Sequence, residues 1–205
     1  MKVVVDKKQT EFLERDFWSA AWNASVQRAS VYKKNLSEEE RRHFKKQVFR
    51  FINDDLMPFY TKKCSEEQHY ENIKRLVVFG TECGREILEG NIYKYGIAQK
   101  LLNLLLKYYW CIGRVSEPPH CPIDSIILNK LGLNEIKWTK MVQKSEYERV
   151  IEKIKMKLTQ EEPTIARWEL IHYMDANEPI ADLPLTPPAR PSAKPPARGT
   201  PAPPD

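Results

Sequence analysis

The chain lacks any apolar run approaching the roughly 18 to 20 residues that a membrane-spanning helix needs, so a membrane-embedded role is not expected. Its opening, MKVVVDKKQTEFLERD, has only three consecutive apolar residues before charges return, which is too few for a secretory h-region. The expected location is the cytoplasm. Cysteine is sparse: Cys64, Cys83, Cys111 and Cys121 form neither a CxxC pair nor an iron–sulfur run. His120 and Cys121 would need two further zinc ligands that no paired motif supplies. No metal or other cofactor is therefore expected, and the thiols read as reduced and mostly buried. Charge of one sign is also lacking: Lys and Arg exceed Asp and Glu by only five. That surplus permits binding to phosphates without requiring it. Convincing period-2 alternation is missing too, which leaves little room for a sheet.

What the sequence has in quantity is helix signal, and the fold class it predicts is all-α. Thr10 to about Tyr32 reads as one long helix with Leu13, Phe17, Ala20 and Ala24 on its apolar face. Ser37-Glu38-Glu39-Glu40 has capping-box form and opens a helix burying Phe44, Val48, Phe51 and Ile52. Ser65-Glu66-Glu67-Gln68 repeats the device ahead of Tyr70, Ile73 and Val77. Ser145-Glu146-Tyr147-Glu148 repeats it again ahead of Val150, Ile151, Ile154 and Leu158. Pro163 suits the first turn of a last helix bearing Ala166, Leu170 and Tyr173. With 205 residues, the chain reads as one compact helical domain over 1–176. The segment 177–205, with ten prolines, reads as a disordered tail. Pro184-Leu185-Thr186-Pro187 and Pro188-Ala189-Arg190-Pro191 have PxxP spacing, which this proline density makes almost unavoidable, so the tail reads first as solubilising, with a ligand for a protein partner as the alternative.

The densest information lies between Tyr95 and Leu133. From Ile97 to Ile112 nearly every position is apolar except Gln99, Lys100, Asn103 and Lys107. Lys100, Asn103 and Lys107 share one helical face. A lysine stripe on a core helix must reach a cleft or meet a negative partner, and Asp124 is the evident partner.

Gly96-Ile97-Ala98-Gln99-Lys100-Leu101-Leu102-Asn103 followed by leucines, then Pro122-Ile123-Asp124 and the exit Leu131-Gly132-Leu133, resembles the core motif of the helix-hairpin-helix DNA glycosylase superfamily. Ala98 stands where that motif carries a second glycine. The resemblance covers 95–133 alone and implies a DNA-binding protein, a glycosylase or lyase that excises a damaged or modified base from duplex DNA. Lys100 would attack C1′ of the damaged nucleotide, which requires a free amine. Asp124 would deprotonate the nucleophile and stabilise positive charge on the sugar. Gly96 would present a helix N-terminus to a phosphate, with Gln99, Asn103 and Lys107 as further DNA contacts. The target base would leave the stack first.

Other readings stand beside this one. Asp124 is well placed as a plain N-cap, and Lys100, Asn103 and Lys107 could be a solvated helix edge. A non-catalytic DNA- or protein-binding module would use Arg41, Arg42, Lys45 and Lys46 as a basic footprint. Arg114 and His120 have the R-x5-H spacing of HEPN-type ribonucleases, although Pro118-Pro119 lies between them. Trp110 and Trp138 are aromatic candidates to stack on an extruded base, with core packing the commoner role for Trp110.

Overall fold

The helices follow from where the aromatic and branched side chains fall. The computed structural model describes residues 7–27 and 29–176, with side chains to 173; the Pro-rich segment 177–205 lies outside the described residues. Seven α-helices succeed one another among the described residues: α1 (Lys7–Val26), α2 (Glu38–Phe51), α3 (Glu66–Gly84), α4 (Tyr95–Cys111), α5 (Ser125–Lys130), α6 (Lys144–Lys155) and α7 (Ile165–Ala176). Among the described residues extended pairing is confined to one isolated antiparallel bridge, Tyr32 to Leu88, and no helix is long and apolar enough to cross a membrane.

The first helix is shorter than its periodicity predicts, and it turns a different face inward. It stops at Val26, and Tyr32 sits in the bridge to Leu88. The buried residues are Ala21, Trp22 and Ser25, while Leu13 is 37% exposed and Ala20 is exposed. Two indoles outweigh a leucine and two alanines in apolar area, while Phe17 of the expected face does pack inward, stacked 5.1 Å from the Tyr108 ring. Trp18 lies 4.5 Å from the Phe49 ring and Trp22 5.4 Å from it, and the Trp18 indole donates to the Tyr109 hydroxyl at 3.0 Å.

The caps behave as local chemistry requires. The Ser37 hydroxyl accepts the Glu40 amide at 3.2 Å, and the Glu40 carboxylate accepts the Ser37 amide at 2.8 Å. Ser65 caps α3 through the Gln68 amide at 3.2 Å. The sixth helix starts earlier than expected: Gln143 is its N-cap and Ser145 lies within its first turn. Glu146 selects that register, accepting the amides of Val142 and Gln143 at 2.9 Å each.

The fourth helix is the centre of the core. It packs against α1, α3, α6 and the 3-10 turn Trp138–Lys140, and every residue from Tyr95 to Leu106 except Lys100 and Leu104 is buried. An element apolar nearly all round can only be stable there. Gly96 permits the closest contact. A Cβ at that position would come 1.8 Å from the Trp138 carbonyl oxygen, and the Gly96 amide donates to the Met141 carbonyl at 3.0 Å.

Candidate functional site

The polar stripe of α4 opens onto a groove of about 310 Å³ between α1, α4, α5 and α7. Lys100 and Asp124 meet at its edge, with Nζ 3.4 Å from Oδ2. Their side chains retain 11% and 17% of their exposure, so the pair is nearly desolvated but still reachable. The two aspartate oxygens divide the work. Oδ1 caps α5 by accepting the amides of Ile126 at 2.9 Å and Ile127 at 3.2 Å, which leaves Oδ2 for the lysine. The N-cap role and the lysine partnership are therefore simultaneous. The Lys100 ammonium also lies 4.3 Å from the centre of the Trp138 ring, carried there by the close approach of 138–141 to Gly96.

A second pair lines the same groove. Lys107 Nζ lies 2.9 and 2.8 Å from the two carboxylate oxygens of Glu169 on α7, and 4.3 Å from the Tyr173 ring centre. Burial pushes the Glu169 carboxyl above its ordinary pKa, against the pull of Lys107. The groove thus holds two cation–carboxylate stations, each roofed by an aromatic ring. Seven residues separate the lysines, about 10 Å along the helix axis.

The remaining expected contacts face the other way. Gln99 and Asn103 are fully buried, out of reach of a docked duplex in this conformation. The Gly96 amide is spent on Met141. Of the expected basic footprint, Arg41 packs over Tyr32, Lys45 packs over Trp22 and Phe49, and Arg42 and Lys46 are exposed. Trp110 is half-buried, while Trp138 is the indole at the site. Arg114 is exposed and bonds Thr10 at 3.3 Å, whereas His120 is sealed in the core, so the R-x5-H pair forms no common site. Among the described residues no group of His, Cys, Asp and Glu could hold a metal ion.

Behind the groove lies a buried polar cluster that local sequence did not reveal. The Asn72 amide donates to the Tyr60 hydroxyl at 3.1 Å, and that hydroxyl lies 2.8 Å from His69 Nδ1. The arrangement repeats nearby: the Asn103 amide donates to the Tyr147 hydroxyl at 2.9 Å, and that hydroxyl lies 3.1 Å from His120 Nδ1. Each hydroxyl accepts from an amide, so its own proton goes to the histidine. His120 is then neutral with its hydrogen on Nε2, which faces the Glu66 carboxylate, and burial favours the neutral form of His69 as well. His120 Nε2 donates to Glu66 at 3.2 Å, and Glu66 also meets Lys155 at 2.7 Å. The His120 hydrogen bond first, then Lys155, lowers the Glu66 carboxyl to about 2 against the opposing effect of burial. Burial lowers both histidines, His69 strongly. No protein-family model, curated protein or solved structure matches this chain.

Proposed function

We propose that the groove binds duplex DNA and cleaves the N-glycosidic bond of an extruded damaged or modified base, with Lys100 and Asp124 as the reacting pair. The observation that carries this reading is the 3.4 Å approach of Lys100 to Asp124 at the mouth of an open groove, between segments whose sequence resembles the glycosylase core motif. Asp124 Oδ2 takes a proton from the Lys100 ammonium, and the freed amine attacks C1′. The base departs with the electrons of the C1′–N bond and takes the proton from Asp124, which returns to the carboxylate. Asp124 then relays a proton from the attached secondary ammonium to the ring oxygen, and opening of the ring leaves a Schiff base on Lys100 that supports strand cleavage. The carboxylate also faces the positive charge that develops on the sugar, in a nearly dry setting where such an interaction is strengthened. Lys107 and Glu169 supply a donor and an acceptor about 10 Å along the helix from Lys100, suited to the polar edge of the base, with the Tyr173 and Trp138 rings as apolar walls.

The experiment is base release from duplexes carrying oxidised, deaminated or alkylated bases. Wild type releases at least one of them. Asp124→Asn keeps DNA binding and loses release by about 100-fold or more, the scale of removing one charge-stabilising group. Release by Asp124→Asn at the wild-type rate would remove the aspartate from the chemistry.

A second reading is supported by one specific observation: both groove lysines already have internal carboxylate partners. In that reading the helical domain is a non-catalytic binding module, and Asp124 is a helix cap that also neutralises Lys100. Salt-dependent binding to DNA without release of any base from the panel is its signature.

A further inference from the structure

We infer that Gln99 is the positioning residue for Asp124: its buried carboxamide holds the Ile123 peptide and so aims the adjoining carboxylate at Lys100. Gln99 precedes Lys100 in sequence but points into the core, where it pairs with Ile123 as a strand would. Its Nε2 donates to the Ile123 carbonyl at 2.8 Å, and its Oε1 accepts the Ile123 amide at 3.1 Å. The second Nε2 hydrogen goes to the Gly96 carbonyl at 2.9 Å, and Oε1 also accepts from Asn103 at 3.3 Å. Two donors and two acceptors are thereby all used, and rotating the amide would break every one of them.

The hold matters because of what surrounds it. The connection between α4 and α5 makes a backbone bond from the Ser116 amide to Tyr60 and resumes at the Leu128 amide with Asp124. From 117 to 123, ahead of the Asp124 cap, the described hydrogen bonds to the backbone come from Gln99. The clasp closes on the residue immediately before Asp124, whose Oδ1 must cap α5 while Oδ2 meets Lys100. Gln99 is itself fixed from behind through Asn103, Tyr147 and His120 to Glu66. A carboxamide held at all four positions is a rigid support, and such supports set how accurately a reacting group is placed.

The catalytic consequence rests on the lysine–aspartate reading; the positioning itself does not. The test uses the full chain with Gln99→Met and Gln99→Glu, and two readouts. The first is amide hydrogen exchange at Ile126 and Ile127, whose N–H groups report the Asp124 cap. The second is borohydride trapping on DNA bearing an abasic site, as rate constant and as half-saturating DNA concentration. Gln99→Met is expected to speed exchange at Ile126 and Ile127 about tenfold, with Val150 and Ile151 of α6 unchanged. It should slow trapping by about tenfold or more with half-saturation unaltered, because the reacting geometry is lost and the DNA contacts are not. Gln99→Glu behaves alike near neutral pH. Relative to wild type at the same pH it recovers on acidification, since a protonated carboxyl again donates to the Ile123 carbonyl and accepts its amide. Unchanged exchange at Ile126 and Ile127 in Gln99→Met overturns the proposal, as does undiminished trapping. If Gln99→Met fails to fold, the pH-dependent recovery of Gln99→Glu decides, and its absence overturns the proposal. Absence of trapping in wild type defeats the enzymatic reading alone. The exchange result then decides by itself, faster exchange supporting the clasp and unchanged exchange refuting it.

Discussion

Acidification should destabilise this protein through its two sealed histidines. His69 and His120 are fully buried, and burial is the largest cause holding each below its ordinary pKa near 6.5. The folded protein therefore binds fewer protons than the unfolded chain once pH drops below that value. The sign follows: stability is fully present above about 6.5 and falls with pH from there. Each imidazole contributes up to about 1.4 kcal/mol per pH unit, so the pair sets a ceiling of about 2.7 kcal/mol per unit. The charged neighbours modify this. Glu66 faces His120 with Lys155 behind it, and its own loss of stabilising charge begins only near the ordinary glutamate range and continues toward its lowered value of about 2. Glu169, raised by burial, titrates with the opposite sign and offsets part of the loss. Over 1.5 units the fall should be about 2 to 4 kcal/mol, a large share of an ordinary domain's stability. Urea unfolding between about pH 7 and pH 5 measures it, with His120→Gln as control: that variant is weaker at neutral pH but should lose about one proton from the slope. Equal stability at both ends of the range would refute the neutral Asn–Tyr–His arrangement.

Two further outcomes follow from packing. Glu169→Ala should cost about 3 to 5 kcal/mol in urea unfolding, because it strands a Lys107 side chain only 12% exposed, whereas the double change Lys107→Met with Glu169→Leu should cost far less; comparable losses would mean the pair is effectively solvated. Gly96→Ala should be among the most disruptive single substitutions, its Cβ meeting the Trp138 carbonyl, while Gly113→Ala, in open space at φ 72°, should cost only about 1 kcal/mol; a stable, wild-type-like Gly96→Ala would show that the 138–141 turn yields readily.

The parts of this fold that were legible in sequence are those governed by short-range rules. The near-continuous apolar run of α4 dictated a central helix, and serine–glutamate spacing placed the starts of α2 and α3. The polar stripe of α4 demanded negative partners, and Asp124 was identifiable because it lies in the same motif. Its second partner was not, since Glu169 is 62 positions from Lys107 and carries no local signature. The Trp18 to Tyr109 bond spans 91 positions and Asn103 to Tyr147 spans 44, so neither the inward face of α1 nor the histidine cluster could be read from periodicity. Gln99 and Asn103, expected as DNA contacts, are buried instead, for a related reason. A polar residue on a core helix can be satisfied from within, and only the course of the 112–124 connection decides whether it meets solvent or a backbone.

In the proposed reaction Lys100 supplies a nucleophilic amine next to Asp124. Borohydride reduction of the full chain mixed with duplex DNA containing an abasic site, followed by peptide mass spectrometry, tests it most directly. The account predicts a covalent adduct on Lys100, lost in Lys100→Ala and retained in Lys107→Ala. An adduct at another lysine, or none at all while DNA remains bound, would contradict it.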